Sequence, residues 1–203
     1  MFRGFLRTMD YKRTENCTGK MKKGMALVAV LLMAATLLSA CAYGAPYFAV
    51  PGFCFRRTTW KMDRDTVQLT EEREPDEVYE NEIVYQSEFV YRFYADLYYA
   101  FEGDTLASAT YLFRYILNHP IMDDFNILRR ALVDFYGAPV EDNTAFFGTG
   151  GSFEISNDNI AAGRVRRVCV WQDGYSKISL SLKGIDGTVY FSLSYQPIIS
   201  NNT

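Results

Sequence analysis

The sequence is poor in the residues that build catalytic and metal centres. It has one histidine, His119, and four cysteines. One histidine excludes a His-rich metal site, and the cysteines lack the spacing of a zinc site. No serine lies in a G-x-S-x-G setting. The glycine-rich run 148–152 lacks the Lys-Ser/Thr end of a phosphate-binding loop. We therefore predict no catalytic residue, no metal and no cofactor.

Basic residues are also scarce after position 40. Residues 41–203 contain 22 acidic and 14 basic side chains, a net charge of about −8. Nucleic acid and anionic membrane surfaces both select for an excess of Lys and Arg. The sequence therefore predicts that the protein does not bind nucleic acid.

Long apolar runs are missing, apart from one near the N-terminus. Ala26 to Leu38 is apolar and follows the basic stretch Met21-Lys22-Lys23. A membrane-spanning helix needs about 20 apolar residues, so this run is typical of a secretory signal. It ends in Leu38-Ser39-Ala40-Cys41.

This ending resembles the lipobox of bacterial lipoproteins. The resemblance implies a diacylglycerol on the Cys41 thiol, cleavage before Cys41, and a lipid anchor on the extracytoplasmic side of the cell membrane or outer membrane. Residues 1–40 are then a signal peptide, and residues 1–20 could precede the true start at Met21. In a host with two membranes, Ala42 resembles outer-membrane sorting. An ordinary signal peptide or an uncleaved anchor helix is the alternative.

The remainder reads as a tether, residues 41–52, and one α+β domain, residues 53–200. The chain contains 15 Tyr and 15 Phe, and such residues are enriched in strands. Alternation with period two predicts strands within 83–101 and 105–116, and again after residue 163. The runs "EGD" at 102–104 and "IDG" at 185–187 predict hairpin turns. Phe53 to Thr58 reads as a short strand.

Two helices are predicted. The first covers 64–74, with Asp63 as N-cap and with Val67 and Leu69 facing the core. The second has Asp123 or Asp124 as its N-cap and ends at Gly137. Its apolar stripe consists of Phe125, Leu128, Leu132 and Phe135. The expected architecture is two-layer, with two helices packed on an antiparallel sheet.

The two halves, 53–118 and 119–200, look alike. Each has a helix ending near a proline, "EREPDE" and "YGAPVE", and then strands with a Gly-centred hairpin, "FEGDTL" and "GIDGTV". This predicts tandem α-β-β-β repeats. The stretch 53–196 resembles a group of uncharacterised bacterial lipoproteins. More distantly, it is similar to the small lipoprotein of the outer-membrane barrel-assembly machinery and to the tandem-repeat β-lactamase inhibitor protein.

These resemblances imply a non-enzymatic envelope module that binds an unknown envelope protein. An inhibitor of a secreted enzyme and a hydrolase with an unfamiliar site are the alternatives. Candidate binding residues are Trp60 and Trp171, which could equally be core residues. Phe146 and Phe147 are further candidates, because they lie in a run, 142–154, expected to protrude as a loop. Cys54 and Cys169 could form a disulfide in an oxidising compartment or remain buried thiols.

Overall fold

Eight strands and three helices make up the described part of the chain. The structure is a computed structural model and describes residues 48–114, 120–148 and 154–198, within the unit Pro46–Thr203. The strands are β1 (Glu77–Val78), β2 (Glu82–Val90), β3 (Phe93–Glu102), β4 (Thr105–Phe113), β5 (Glu141–Phe146), β6 (Val165–Gln172), β7 (Ser176–Ile185) and β8 (Thr188–Pro197). The helices are α1 (Arg64–Thr70), α2 (Ile121–Tyr136) and α3 (Asn157–Ala161).

All the strands join one antiparallel sheet in the order β1-β2-β3-β4-β8-β7-β6-β5. The last strands of the two halves meet at its centre, where Tyr111 of β4 lies opposite Leu193 of β8. The predicted antiparallel sheet with packed helices is therefore confirmed as an α+β arrangement. The sheet dominates it more than the sequence indicates.

The alternation read from the sequence decides which strand residues are buried. In β3, Ala95, Leu97, Tyr99 and Phe101 are buried, whereas the residues between them are partly or fully exposed. The β3–β4 connection turns at Gly103, and the β7–β8 connection turns at Asp186-Gly187, both with positive φ. Positive φ at both central residues, as at Asp186-Gly187, and positive φ at the first of them alone, as at Gly103, are the two geometries of the favoured two-residue hairpin. Both predicted turns are confirmed.

Helix α1 begins where the sequence predicts. The Asp63 side chain accepts a hydrogen bond from the Thr66 N–H at 2.9 Å, which satisfies one of the free amides of the first turn. The helix ends at Thr70, four residues earlier than predicted. Only Val67 is buried, and Leu69 is 84% exposed. The predicted inward position of Leu69 is wrong because residues two apart on an α-helix do not share a face, so burial of Val67 turns Leu69 outward.

Helix α2 begins earlier than predicted. Its first residue is Ile121, after Pro120, whose side chain makes no capping bond, and the Ile121 N–H donates instead to Asn157 Oδ1 at 3.4 Å. Asp123 and Asp124 instead lie in the first turn, where negative charge is favourable to the helix dipole. The predicted end at Gly137 is confirmed, with φ +81°.

The predicted stripe of α2 faces the core for most of its length. Phe125, Leu128 and Leu132 are fully buried. Phe135 is half exposed and packs on Phe48, with ring centroids 5.4 Å apart.

Helix α3 lies directly on strand β7. Its Ser156 cap accepts a hydrogen bond from the Asn159 N–H at 3.3 Å. A Cβ atom at Gly184 would collide with the backbone oxygens of Ile160 and Ala161. Glycine at position 184 therefore allows the helix backbone to approach the strand.

The N-terminal segment packs on the domain from Phe48 onward. Phe48 and Ala49 are buried, and the Ala49 N–H donates to Tyr136 Oη at 3.3 Å. The end of the predicted tether, 41–52, thus contacts α2, while residues 41–47 lie outside the described ranges. The strand predicted at Phe53–Thr58 is wrong, because this segment is a turn closed by a Phe55–Thr58 bridge.

No helix in the described ranges is both long and apolar enough to cross a membrane.

Candidate binding surface

The helices share one face of the sheet. Val67 of α1, Phe125 of α2 and Ile160 of α3 all belong to the same core cluster. The alternate strand residues therefore point to the opposite side, which no described helix covers. We call this side the open face.

The centre of the open face consists of small hydroxyl side chains. Across the sheet, Thr110 lies opposite Ser194, which lies opposite Ser179, and Ser192 lies opposite Ser181. The Thr110 hydroxyl donates to Ser194 Oγ at 3.1 Å. We call these five residues the hydroxyl rows. Because they are short and each hydroxyl can both donate and accept, they form a flat floor of hydrogen-bonding groups.

Aromatic side chains border the hydroxyl rows on one side. Tyr98 of β3 lies opposite Thr110. Phe89 and Tyr94 are 49% and 60% exposed, and their ring centroids are 5.3 Å apart. We call Phe89, Tyr94 and Tyr98 the aromatic flank. Exposed aromatic residues of this kind are enriched at protein interfaces.

Charged side chains lie on both sides of the hydroxyl rows. Asp96 and Glu82 accompany the aromatic flank on β3 and β2, and Asp96 is ion-paired with Arg114 Nη2 at 2.7 Å. Lys177 and Lys183 lie on β7. Burial, and then the charges of Asp96 and Glu82, raise the pKa of Tyr98, so its hydroxyl stays protonated at neutral pH. The face therefore offers charges of both signs around a neutral, hydroxyl-rich centre.

The predicted tryptophan sites are structural rather than exposed. Trp171 is 1% exposed because the alternation of β6 turns it inward. Its Nε1 donates to the Gly137 carbonyl at 2.9 Å. The hypothesis that Trp171 marks a recognition surface is wrong. Trp60 is partly buried against the core, and its Nε1 donates to the Tyr175 carbonyl at 3.0 Å and to Ser176 Oγ at 3.1 Å.

Phe146 and Phe147 lie at the end of an edge strand. They are 40% and 51% exposed, so they remain available to a partner. The run 142–154 is not a loop throughout, because β5 pairs with β6 up to Phe146. Sequence reasoning missed β5, since Glu, Asp and Asn are depleted in strands. Residues 149–153 of the run, as well as Cys41 and His119, lie outside the described ranges.

A partly buried cluster of charged side chains connects the edge strand β5 to the rest of the domain. The Asp142 carboxylate accepts from Arg129 Nε at 3.0 Å and contacts Arg167 Nη2 at 2.5 Å. The Cys169 thiol donates to it at 3.3 Å. Burial alone would raise the pKa of Asp142, but the bonds from Arg129 and Cys169 and the charge of Arg167 hold it below its ordinary value. The cluster joins α2, β5 and β6.

The two cysteines do not form the predicted disulfide. Cys54 and Cys169 are both free, buried thiols, which is the alternative left open by the sequence. Cys169 points into the Asp142 cluster, whereas the Cys54 carbonyl accepts from Ser176 Oγ at 2.9 Å. Burial and the bond to Asp142 raise the pKa of Cys169 to about 11. Such a thiol is a poor nucleophile at neutral pH.

A second ion cluster lies under α1. Arg56 contacts Glu71 at 3.2 Å and Glu88 at 3.0 Å, and the Tyr99 hydroxyl donates to Glu71 at 2.5 Å. Burial, followed by the charge of Glu71, raises the pKa of Tyr85 to about 12. Through these contacts the segment that follows α1 is held against β2 and β3. In the described part of the chain, no group of His, Cys, Asp and Glu side chains is arranged to hold a metal ion.

Comparison of the chain with family models, with curated proteins and with solved structures found no match. The assignment of function therefore depends on the geometry of the open face and on the sequence. The resemblances drawn from the sequence stay predictions.

Proposed function

We propose that the protein is a lipid-anchored, extracytoplasmic, non-enzymatic module that binds another envelope protein through the open face of its sheet. The observation that carries the proposal is the open face itself, where the hydroxyl rows meet the aromatic flank. Exposed aromatic rings supply contact area at low entropic cost, and the hydroxyls beside them supply hydrogen bonds. A folded protein surface is the partner that this combination suits.

The anchor is proposed from the sequence. Cys41 follows the apolar run at the distance of a lipobox cysteine, and two or three acyl chains would hold the protein firmly at a bilayer. Replacing Cys41 with serine should abolish labelling by a fatty-acid probe and release the protein from membranes. Labelling and membrane association that survive the Cys41→Ser substitution would reject the anchor.

We also propose that the two halves are tandem repeats. Each half begins with a helix and contains four strands, with the short helix α3 inserted after β5 in the second half, and the fourth strands, β4 and β8, meet at the centre. Each half also places an aspartate at the start of its edge strand. Asp76 pairs with Arg73, and Asp142 pairs with Arg129. Arg129 lies in α2, whereas Arg73 lies in the bend that follows α1, so in each half the arginine precedes the edge strand in the chain.

Binding can be mapped with a photoreactive side chain in the anchored protein. We would replace Tyr98 and Ser194 in turn with p-benzoylphenylalanine, and irradiate intact cells. Leu69 and Val140 are matched controls, because they are 84% and 65% exposed and lie away from the open face.

Discrete adducts at Tyr98 and Ser194, without the same adducts at the controls, would support the proposal. Equal adducts at Leu69 would assign binding to another surface, and no adduct at either open-face position would reject it. A secreted enzyme in the adduct would identify the module as an inhibitor.

A further inference from the structure

The two edges of the sheet differ in length and protection. β1 has two residues, directly after the Pro75-Asp76 segment, whereas β5 has six, Glu141–Phe146. Natural edge strands are usually kept from pairing by short length, charged side chains, proline or a bulge. β5 contains neither lysine nor proline, and its register with β6 is continuous. Its two charged residues, Glu141 and Asp142, both lie at its start, and Asp142 is ion-paired with Arg129 and Arg167 of its own chain. Within the described ranges no strand lies beyond it.

The ladder with β6 determines which backbone groups of β5 point outward. The Phe147 N–H donates to the Arg164 carbonyl at 2.8 Å. Hydrogen-bonded pairs alternate along an antiparallel ladder, so the odd-numbered residues of β5 bond to β6. The even-numbered residues Asp142, Thr144 and Phe146 therefore direct their N–H and C=O groups away from the sheet.

We propose that this edge is a homodimer interface, in which β5 pairs antiparallel with β5 of a second copy about a two-fold axis at Thr144. In this register the outward-pointing backbone groups of Asp142, Thr144 and Phe146 all find partners in the second copy. Thr144 meets the partner's Thr144, and Asp142 meets the partner's Phe146. A Thr–Thr pair directly opposite is a favourable cross-strand pair, and a two-fold interface must be complementary to itself.

Charge favours the antiparallel arrangement. β5 is acidic at its start, where Glu141 and Asp142 lie, and is flanked by arginine at its end. Arg166 of β6 is exposed and lies opposite Ala145. Because the Ala145 side chain is small, the Arg166 side chain can extend over β5 toward the second copy. In the proposed register Glu141 lies opposite the partner's Phe147, which bonds through its N–H to the partner's Arg164 and lies two residues along from the partner's Ala145, the residue opposite Arg166. A parallel pairing would set the acidic ends side by side.

The pairing would also cover exposed aromatic surface. Phe146 and Phe147, at 40% and 51% exposure, come against the partner's strand. This interface is separate from the open face, so a dimer could present two open faces joined in a continuous sheet. The sheet would then extend through both copies without an unprotected long edge.

The test is site-specific cysteine cross-linking of the full chain in membranes. Paired Cα atoms in an antiparallel ladder are about 4.5–5.5 Å apart, which suits a disulfide. Thr144→Cys should give a reducible dimer on mild oxidation. Asn143→Cys is the matched control, since position 143 lies opposite the partner's position 145 and not its own copy. The unsubstituted chain gives the background from its own cysteines.

A second pair of variants keeps the test decisive if Thr144→Cys fails to fold. Asn143→Cys and Ala145→Cys should each stay monomeric when expressed alone, and should cross-link when expressed together. Equal cross-linking of all variants would show random collision and overturn the proposal. No dimer from folded Thr144→Cys, or its cross-linking to a different protein, would also overturn it, the latter by assigning the edge to a foreign strand.

Discussion

Replacing Asp142 with asparagine tests the ion cluster that holds the β5 edge. The substitution keeps the shape of the side chain but removes the charge shared by Arg129 and Arg167. Hydrogen bonds to charged groups contribute about 1.5–3 kcal/mol, and breaking a fully buried pair costs about 3–5 kcal/mol. The Asp142 side chain is 28% exposed, so solvent screening reduces the effect, and we expect a loss of about 2 kcal/mol.

The assay is urea unfolding at neutral pH, with thermal unfolding as a second readout. For a protein of this size the expected loss corresponds to a decrease in Tm of about 4–8 °C. Glu141→Gln is the control, because Glu141 is exposed on the same strand and its substitution should change the free energy of unfolding by less than about 0.5 kcal/mol. If Asp142→Asn has no larger effect than this control, the reasoning about the cluster is refuted.

The same variant has a defined pH dependence. The pKa of Asp142 is lower in the folded chain than in the unfolded chain, so the ionised carboxylate stabilises the fold above its unfolded-state pKa of about 3.9. This stabilisation is lost as the pH falls through the lowered folded-state pKa. The difference in stability between the natural chain and Asp142→Asn should therefore shrink towards zero in strong acid. A constant difference down to about pH 2 would contradict the assigned pKa direction.

Other consequences of the packing can be measured with single substitutions or with a thiol reagent. Trp171→Ala should lower the free energy of unfolding by about 3–5 kcal/mol, because it leaves a cavity in the core. Tyr94→Ala, on the open face, should lower it by less than about 1 kcal/mol. Similar losses for the two variants in urea unfolding would contradict the buried position of Trp171 and the exposed position of Tyr94. Gly184→Ala should destabilise the fold by about 1–3 kcal/mol, since its Cβ would meet the backbone of α3, and an unchanged Tm would show that the helix does not lie on β7. Cys54 and Cys169 should resist iodoacetamide in the folded protein and react in urea without any reductant, as followed by peptide mass spectrometry; a requirement for reductant would establish the disulfide instead.

Much of the sheet could be read from the sequence because its strands are half buried. Runs such as "KISLSL" in β7 and "YFSLSY" in β8 alternate cleanly, so they reveal both the strand and its two faces. The hairpin at Asp186-Gly187 was equally readable, because positive φ at two successive residues selects for this dipeptide. The same alternation contained the signal for the hydroxyl rows, although it does not show which serines come together across the sheet.

Other features depend on tertiary contacts that no local pattern reports. β5 is polar and lies at an edge, so it lacks the apolar alternation that identifies a strand. Leu69 is apolar but exposed, because the short helix α1 turns only Val67 to the core. Cys54 and Cys169 stay unpaired because tertiary contacts place them differently, Cys169 against Asp142 and Cys54 beside Ser176. Trp171 could be a hot spot or a core residue until the register of β6 is known.

The central claim is that the open face binds an envelope protein while the chain is anchored at a membrane. The most direct test compares Tyr94→Ala/Tyr98→Ala with Leu69→Ala in the full-length anchored protein, by native electrophoresis and co-purification from detergent-solubilised membranes. Loss of a hot-spot contact costs about 2 kcal/mol or more of binding free energy. The amount of complex recovered with the double variant should therefore fall at least tenfold, whereas Leu69→Ala should leave it unchanged. A complex that survives the double variant in full would contradict the account.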